Sequence, residues 1–399
     1  MSVTMTQRAA GGRTAAKTKT AKVEEQQFPD INTLRNAIPA HCFEPSVAIS
    51  MGYLVRDLCL ISALGWAALN YIPQLPEGYA RWAAWAAYGF VQGLFGTGLW
   101  ILAHEAGHGA FSKHDRFNNV VGWAAHSVLM VPYFSWKYSH HRHHRFTGHM
   151  EKDMAFVPAQ AEDRHARASF FSSIGLDWEL LEDAPIVNLV RLVSHQLFGW
   201  QVYLLFNVTA GKESRQWKGA SLFRQSHFEP TSAVFRPSEA IFIAISDLGL
   251  ALTASAIYYG ATVYGWETMF LLYVVPYVWV HNWLIAITYL HHTHHDVHHY
   301  DADNWTFVKG AVATVDRDFG FIDRHLFHGI IGTHVAHHLF PRIPFYYAEE
   351  ATEALKPVLG DLYHCDNRNF ITTLWQTFTS CKYVVPDPKV PGALKWAVN

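Results

Sequence analysis

The sequence predicts an all-α integral membrane protein: four transmembrane helices in two hairpins, interfacial helices, and a cytosolic cap carrying histidine motifs. Composition is the first ground. Of 399 residues, 50% are hydrophobic, 15% aromatic and 16% charged, whereas a typical soluble domain is about 25% charged. The second ground is four apolar stretches, each close to the ~20 residues that cross a bilayer. The third is that the basic residues gather on one side of those stretches. A formal net charge of −2 gives no overall attraction to nucleic acid.

Residues 1–27 hold Arg8, Arg13, Lys17, Lys19 and Lys22, and beyond alanine only Met1, Val3, Met5 and Val23 are apolar. They lack the apolar core of about 7–15 residues that a signal peptide needs, so a disordered polar tail is expected. Residues 28–46 are a structured lead-in, with Asp30 as N-cap of a helix over 31–38. Residues 47–385 form the membrane and cap domain, and 386–399 a C-terminal tail. The first span is 58–72, extended backward through Val47, with Arg56 and Asp57 as an internal pair. The second is 82–103, the third 240–260 and the fourth 269–290. Short connectors, 73–81 and 261–267, make each pair a helical hairpin.

Two further apolar segments, 117–133 and 186–206, are ambiguous by hydropathy; topology decides. The first separates His104 from His140, and a crossing there would put them on opposite membrane faces. Both segments are therefore read as interfacial or re-entrant. The connectors carry only Arg81 with Glu77 and Glu267. Lys137, Arg142, Arg145, Lys152, Arg164, Arg167, Lys212, Arg215, Lys218 and Arg224 fall on the other side. The positive-inside rule then puts both termini and the histidine motifs in the cytosol. Cys42, Cys59, Cys365 and Cys381 have no framework spacing and read as unpaired thiols.

The chemistry lies in the histidines. His104 and His108 are one helical turn apart. His140, His143 and His144 have the spacing H-x-x-H-H, which His334, His337 and His338 repeat. On a helix, i, i+3 and i+4 share a face and can point imidazoles at one metal. Eight such ligands exceed what one first-row ion takes and suit two ions with open positions. A lone membrane histidine is more often a satisfied bundle residue, but three spaced motifs on one side are not explained that way. Imidazole suits Fe, Zn, Cu and Ni alike. His292, at the end of the fourth span, and His328, before the third motif, are further candidate ligands. Glu105, Asp153 and Asp316 can hold imidazole N–H groups. His141, His149, His291, His294, His295, His298 and His299 are read as outer or surface residues. His41, His126, His195, His227, His281 and His364 are read as structural or solvent-facing.

The motifs 104–108, 140–144 and 334–338 resemble the three histidine boxes of membrane fatty acid desaturases. The likeness continues through Pro39–Phe43, Val131–Trp136, Thr147–Met150 and 340–352, and is nearest the Δ12/ω-3 acyl-lipid group, fungal in character. The resemblance implies two non-haem iron ions, dioxygen as co-substrate, and the eight box histidines as ligands, joined by His292 and His328. It implies an endoplasmic reticulum membrane protein acting on an acyl lipid, whether phospholipid or acyl-CoA. Electrons would come from cytochrome b5 and its NADH reductase as separate partners, since no His-Pro-Gly-Gly haem-binding sequence occurs. Many relatives have Cys at Ala106 and Gln at His291. Gly109 and the run 137–150 favour ω-3 (Δ15) or dual Δ12/ω-3 action. A strict Δ12 enzyme, a hydroxylase or an epoxygenase would share every box. A histidine-rich zinc transporter is the competing class; it would place ligands within the spans, whereas these motifs are expected beyond the span ends.

Overall fold

The computed structural model describes residues 27–175, 177–217 and 219–397; the expected tail lies outside the described residues apart from Gln27. Four of its helices are long and apolar enough to cross a membrane: Val47–Gln74, Tyr79–His108, Pro237–Tyr264 and Trp266–His292. They match the four expected spans, each extended at its ends. The second span is the core of the bundle, 72% buried over its most apolar window, against 17% for the first and 22% for the third.

The second and fourth spans run parallel at close approach. Gly89 faces Val275, Gly93 faces Trp279 and Gly96 faces Val280, a run of small residues that lets two helix backbones meet. The fourth span tolerates Pro276 within its length because a π-turn over Phe270–Val274 comes just before it. Both helices end in histidines, His104 and His108 on one, His291 and His292 on the other. The first motif is therefore part of the second span's last turns, not beyond them as the sequence suggested. Gly109, at φ 77°, caps that helix in the left-handed region.

The two ambiguous segments form the helices Asp115–Val128 and Pro185–Phe206. The first is tied to the third span by Trp123 Nε1, which donates to the carbonyl of Ile245 at 2.9 Å. The second buries Gln196, Trp200 and Leu204. It turns Ile186, Val190, Val193 and Leu197 outward as a continuous exposed apolar stripe.

The cap comprises the helix Tyr133–Phe146, the short helix His334–Leu339, and the helices Phe345–Leu359 and Phe370–Ser380. Asp30 caps the lead-in helix Ile31–Ala37, as expected. The expected C-terminal tail is instead built into the cap. Val384–Pro386 pairs antiparallel with Ala393–Trp396, which pairs antiparallel with His299–Tyr300. The backbone pairing over so few residues left no alternation long enough to read in sequence.

Asp57 in the first span is buried, with Arg56 Nη2 at 2.7 Å and His328 Nε2 at 2.9 Å. The expected Arg56–Asp57 pair thus gains a third member from the segment before the third motif. All four cysteines are free thiols.

A Cβ at Gly93 would collide with that of Trp279, so Gly93→Val should cost about 1–3 kcal/mol or more. The thermal midpoint of the detergent-solubilised protein should fall; an unchanged midpoint would contradict the close parallel contact.

Candidate metal centre

The last turns of the second span, the helix Tyr133–Phe146 and the helix His334–Leu339 meet where the fourth span ends. Helical spacing divides the motif on Tyr133–Phe146. His140 and His144 turn to one side with His104, His108 and His337, and these five ligand atoms lie within 4.8 Å of one another. His143 turns to the other side with His292 and His338, a second such group. His334 joins it, its Nε2 3.2 Å from that of His292. All eight box histidines and His292 are thus brought together, as five and four.

Three ring nitrogens are approached twice. His104 Nε2 lies 3.1 Å from Nε2 of both His108 and His140. His140 Nε2 is also 3.0 Å from that of His144. His292 Nε2 is 3.3 Å from His143 Nε2 and 3.2 Å from His334 Nε2. An imidazole nitrogen has either one hydrogen or one lone pair in the ring plane, so proton sharing cannot satisfy two neighbours at once. A cation at each focus satisfies these crowded Nε2 atoms together. His337 Nε2 and His338 Nε2 are buried and otherwise without partners. The donor set therefore fits two metal ions, all by imidazole, with no cysteine within reach of either group.

Burial, followed by neighbouring imidazoles, holds the pKa of His140, His144, His334, His337 and His338 well below the ordinary histidine value. The neutral rings keep the lone pair that a metal requires.

The outer contacts set ring orientation. His143 Nδ1 donates to Asp153 Oδ1 at 2.7 Å. Burial opposes ionisation of Asp153, but His143 and the N–H groups of Ala155 and Gly148 outweigh it, and its carboxyl is held below the usual range. Glu105 Oε1 stands 3.3 Å from His104 Nδ1, and its other oxygen accepts from the Phe345 N–H at 3.1 Å. Thr147 Oγ1 is 3.0 Å from His338 Nδ1. Asp153 thus holds an imidazole as expected, whereas Glu105 stands beside His104 without a hydrogen bond to its ring.

Asp316 does not hold an imidazole. Its Oδ1 accepts from the Val335 N–H and its Oδ2 from the Tyr363 hydroxyl, both at 2.8 Å, so it steadies the start of the third-motif helix through the backbone. His328 also departs from expectation: it is buried against Asp57, Tyr53 and Phe345, and belongs to neither group. Its backbone, at φ 55°, turns the ring toward the first span. Sequence proximity to the third motif could not show that turn.

Among the other histidines, His291 stacks on His334 at 3.7 Å between ring centroids, and His141 Nε2 lies 2.9 Å from the Gly107 carbonyl oxygen. His149 lies against Trp305, and His298 pairs with Asp387. His294 and His295 flank Asp296, and His299 sits in a strand. His126, His227 and His281 are buried among aromatic rings. His195 contacts Tyr289 and Phe378, and His41 pairs with Glu350.

A cavity of about 320 Å³ borders both groups, touching His104 and His140 of the first and His143, His292 and His334 of the second. Trp100, Trp136, Trp200, Ile101 and Ile285 form much of its wall. Thr97 and Thr288 also face it, but their hydroxyls donate to the carbonyls of Gly93 and Leu284, at 2.8 Å each. The wall is therefore mostly apolar, with no Asp, Glu, Lys or Arg among its lining residues.

The family model for fatty acid desaturases matches residues 80–366. The chain is similar to an oleate hydroxylase of Claviceps purpurea, 42% identical over 92% of this chain and 79% of the relative. It is similar to a Δ12 fatty acid desaturase of Mortierella isabellina, 41% identical over 93% of each chain. A Δ12 fatty acid desaturase of Arabidopsis thaliana is 39% identical over 95% of this chain and 96% of its own.

Asp153→Asn should weaken metal retention by the His143 group about 10–100-fold and leave the His108 group loaded. Metal analysis after gel filtration reads this; equal loss from both groups, or no loss, would contradict the division.

Proposed function

Because the chain belongs to the fatty acid desaturase family, we propose that it inserts a cis double bond at the Δ12 position of an unsaturated C18 acyl chain carried by a membrane lipid. The observation that carries this reading is the apolar cavity bordered by both imidazole groups. It suits a hydrocarbon tail and offers no charged partner for a soluble substrate. Three of the relatives cited or matched in the same range act at Δ12 by name, from Mortierella isabellina, Mortierella alpina and Arabidopsis thaliana.

Two iron ions are proposed as the resident metals, one held by His104, His108, His140, His144 and His337, the other by His143, His292, His334 and His338. Iron at these positions would supply the oxidant, formed with dioxygen, that an unactivated methylene requires. Overall, two hydrogens leave the acyl chain, two electrons and two protons enter from outside, and dioxygen leaves as two waters. The protein's own part is placement. Trp100, Trp136 and Trp200 wall the reacting segment from water, and the cavity holds one methylene pair beside the imidazoles.

The proposed electron donors are cytochrome b5 and its NADH reductase. Arg142 is not free to dock them: its guanidinium donates to both oxygens of Glu239 and to the carbonyl of Val234. Arg145, exposed on the same helix, remains available for an acidic partner. An endoplasmic reticulum location with both termini cytosolic is proposed from the basic-residue asymmetry and the family.

An ω-3 activity is the second reading, resting on Gly109 and the run 137–150. The helix-capping role of Gly109 explains that glycine by backbone geometry and weakens it as a marker of regiochemistry. Expression in yeast with linoleate or oleate supplied in separate cultures, followed by gas chromatography of fatty acid methyl esters, separates the readings. Dienes made from endogenous oleate are expected. Trienes would move the assignment to ω-3, a hydroxy acid to hydroxylation, and unchanged lipids in cells with a working cytochrome b5 system would overturn desaturation.

A further inference from the structure

Two stretches that carry the family likeness outside the boxes, Pro39–Phe43 and 348–352, play no part in the site described above. They meet in space. His41 and Cys42 lie on the single 3-10 turn Ala40–Phe43, and Glu350 on the helix Phe345–Leu359. His41 Nε2 is 2.9 Å from Glu350 Oε2 and 3.7 Å from Cys42 Sγ. One ligand atom from each residue lies within 4.8 Å of the others.

The arrangement excludes one familiar use of these residue types. In a nucleophilic Cys-His-carboxylate relay, thiol and carboxylate address opposite nitrogens of the imidazole. Here both approach the same nitrogen, Nε2. Thiol, imidazole and carboxylate therefore face one point, as ligands of a shared cation do. Nitrogen, sulfur and oxygen donors in a set of three, with a position left open, are the preference of zinc.

The donors are also held in place. Cys42 is fully buried among Leu34, Ile38, Leu355 and Leu359, and Tyr347 meets the His41 ring edge-on at 5.2 Å. His41 and Glu350 are 55% and 48% exposed, so an ion can reach the point from solvent. We infer that His41, Cys42 and Glu350 form a binding site for a zinc-class divalent cation, separate from the two imidazole groups. A cation there would cross-link residues 309 positions apart. It would pin the lead-in to the helix whose first N–H, from Phe345, holds Glu105.

The test uses the full-length, iron-loaded protein in detergent, titrated with Co(II) as the optical probe. One further equivalent should bind with a thiolate-to-cobalt charge-transfer band, and Zn(II) should abolish the band by displacement. No cysteine reaches the imidazole groups, so cobalt there cannot give that band. Cys42→Ser should lose the band, and so should Glu350→Gln, a partly exposed change that leaves the core intact. Cobalt retained without the band, a band that survives Cys42→Ser, or no binding beyond the iron would overturn the site. Loss of desaturation in yeast would leave this result standing, since the readout is independent of turnover.

Discussion

Bringing nine imidazoles together in two tight groups inside an apolar protein is costly unless something satisfies their nitrogens. Every other feature of the molecule follows from meeting that constraint. Two foci, of five rings and four, are the most economical solution, because each ring then serves one ion through one nitrogen. The remaining nitrogen is free to be oriented from behind. Asp153 does this for His143 and Thr147 for His338, and Glu105 stands beside His104.

The membrane part supplies rigidity to this arrangement. Parallel packing of the second and fourth spans through Gly89, Gly93 and Gly96 fixes the relative height of His104, His108 and His292. The first span adds Asp57, which holds His328 at the turn leading into the third motif. Asp316 holds the backbone at the start of that motif. On the other side of the rings the wall is aromatic, and the cavity there is bounded by the helix Pro185–Phe206 as well as by the spans.

Much of this was legible in the sequence because it depends on periodicity. The four spans and the grouping of His140, His143 and His144 on one helix follow from hydropathy and helical spacing, and the helices Asp115–Val128 and Pro185–Phe206 lie where the sequence marks apolar segments. The division of that motif between two foci did not follow, because i+3 and i+4 differ by only a fraction of a turn and three-dimensional packing chooses the side. His328 and Asp316 were misplaced for a related reason: short distance along the chain says nothing of which way a turn with φ 55° or a helix start will face. The strands at 384–396 are too short to show an alternation, and the meeting of His41 and Cys42 with Glu350 joins positions 309 residues apart, which no local pattern encodes.

Iron K-edge X-ray absorption on the purified, metal-loaded protein addresses the nine-imidazole arrangement most directly. The account predicts two iron atoms per chain, a nitrogen-rich inner shell and the outer-shell scattering of imidazole rings. A single iron per chain, or a shell dominated by sulfur or carboxylate oxygen, would contradict it.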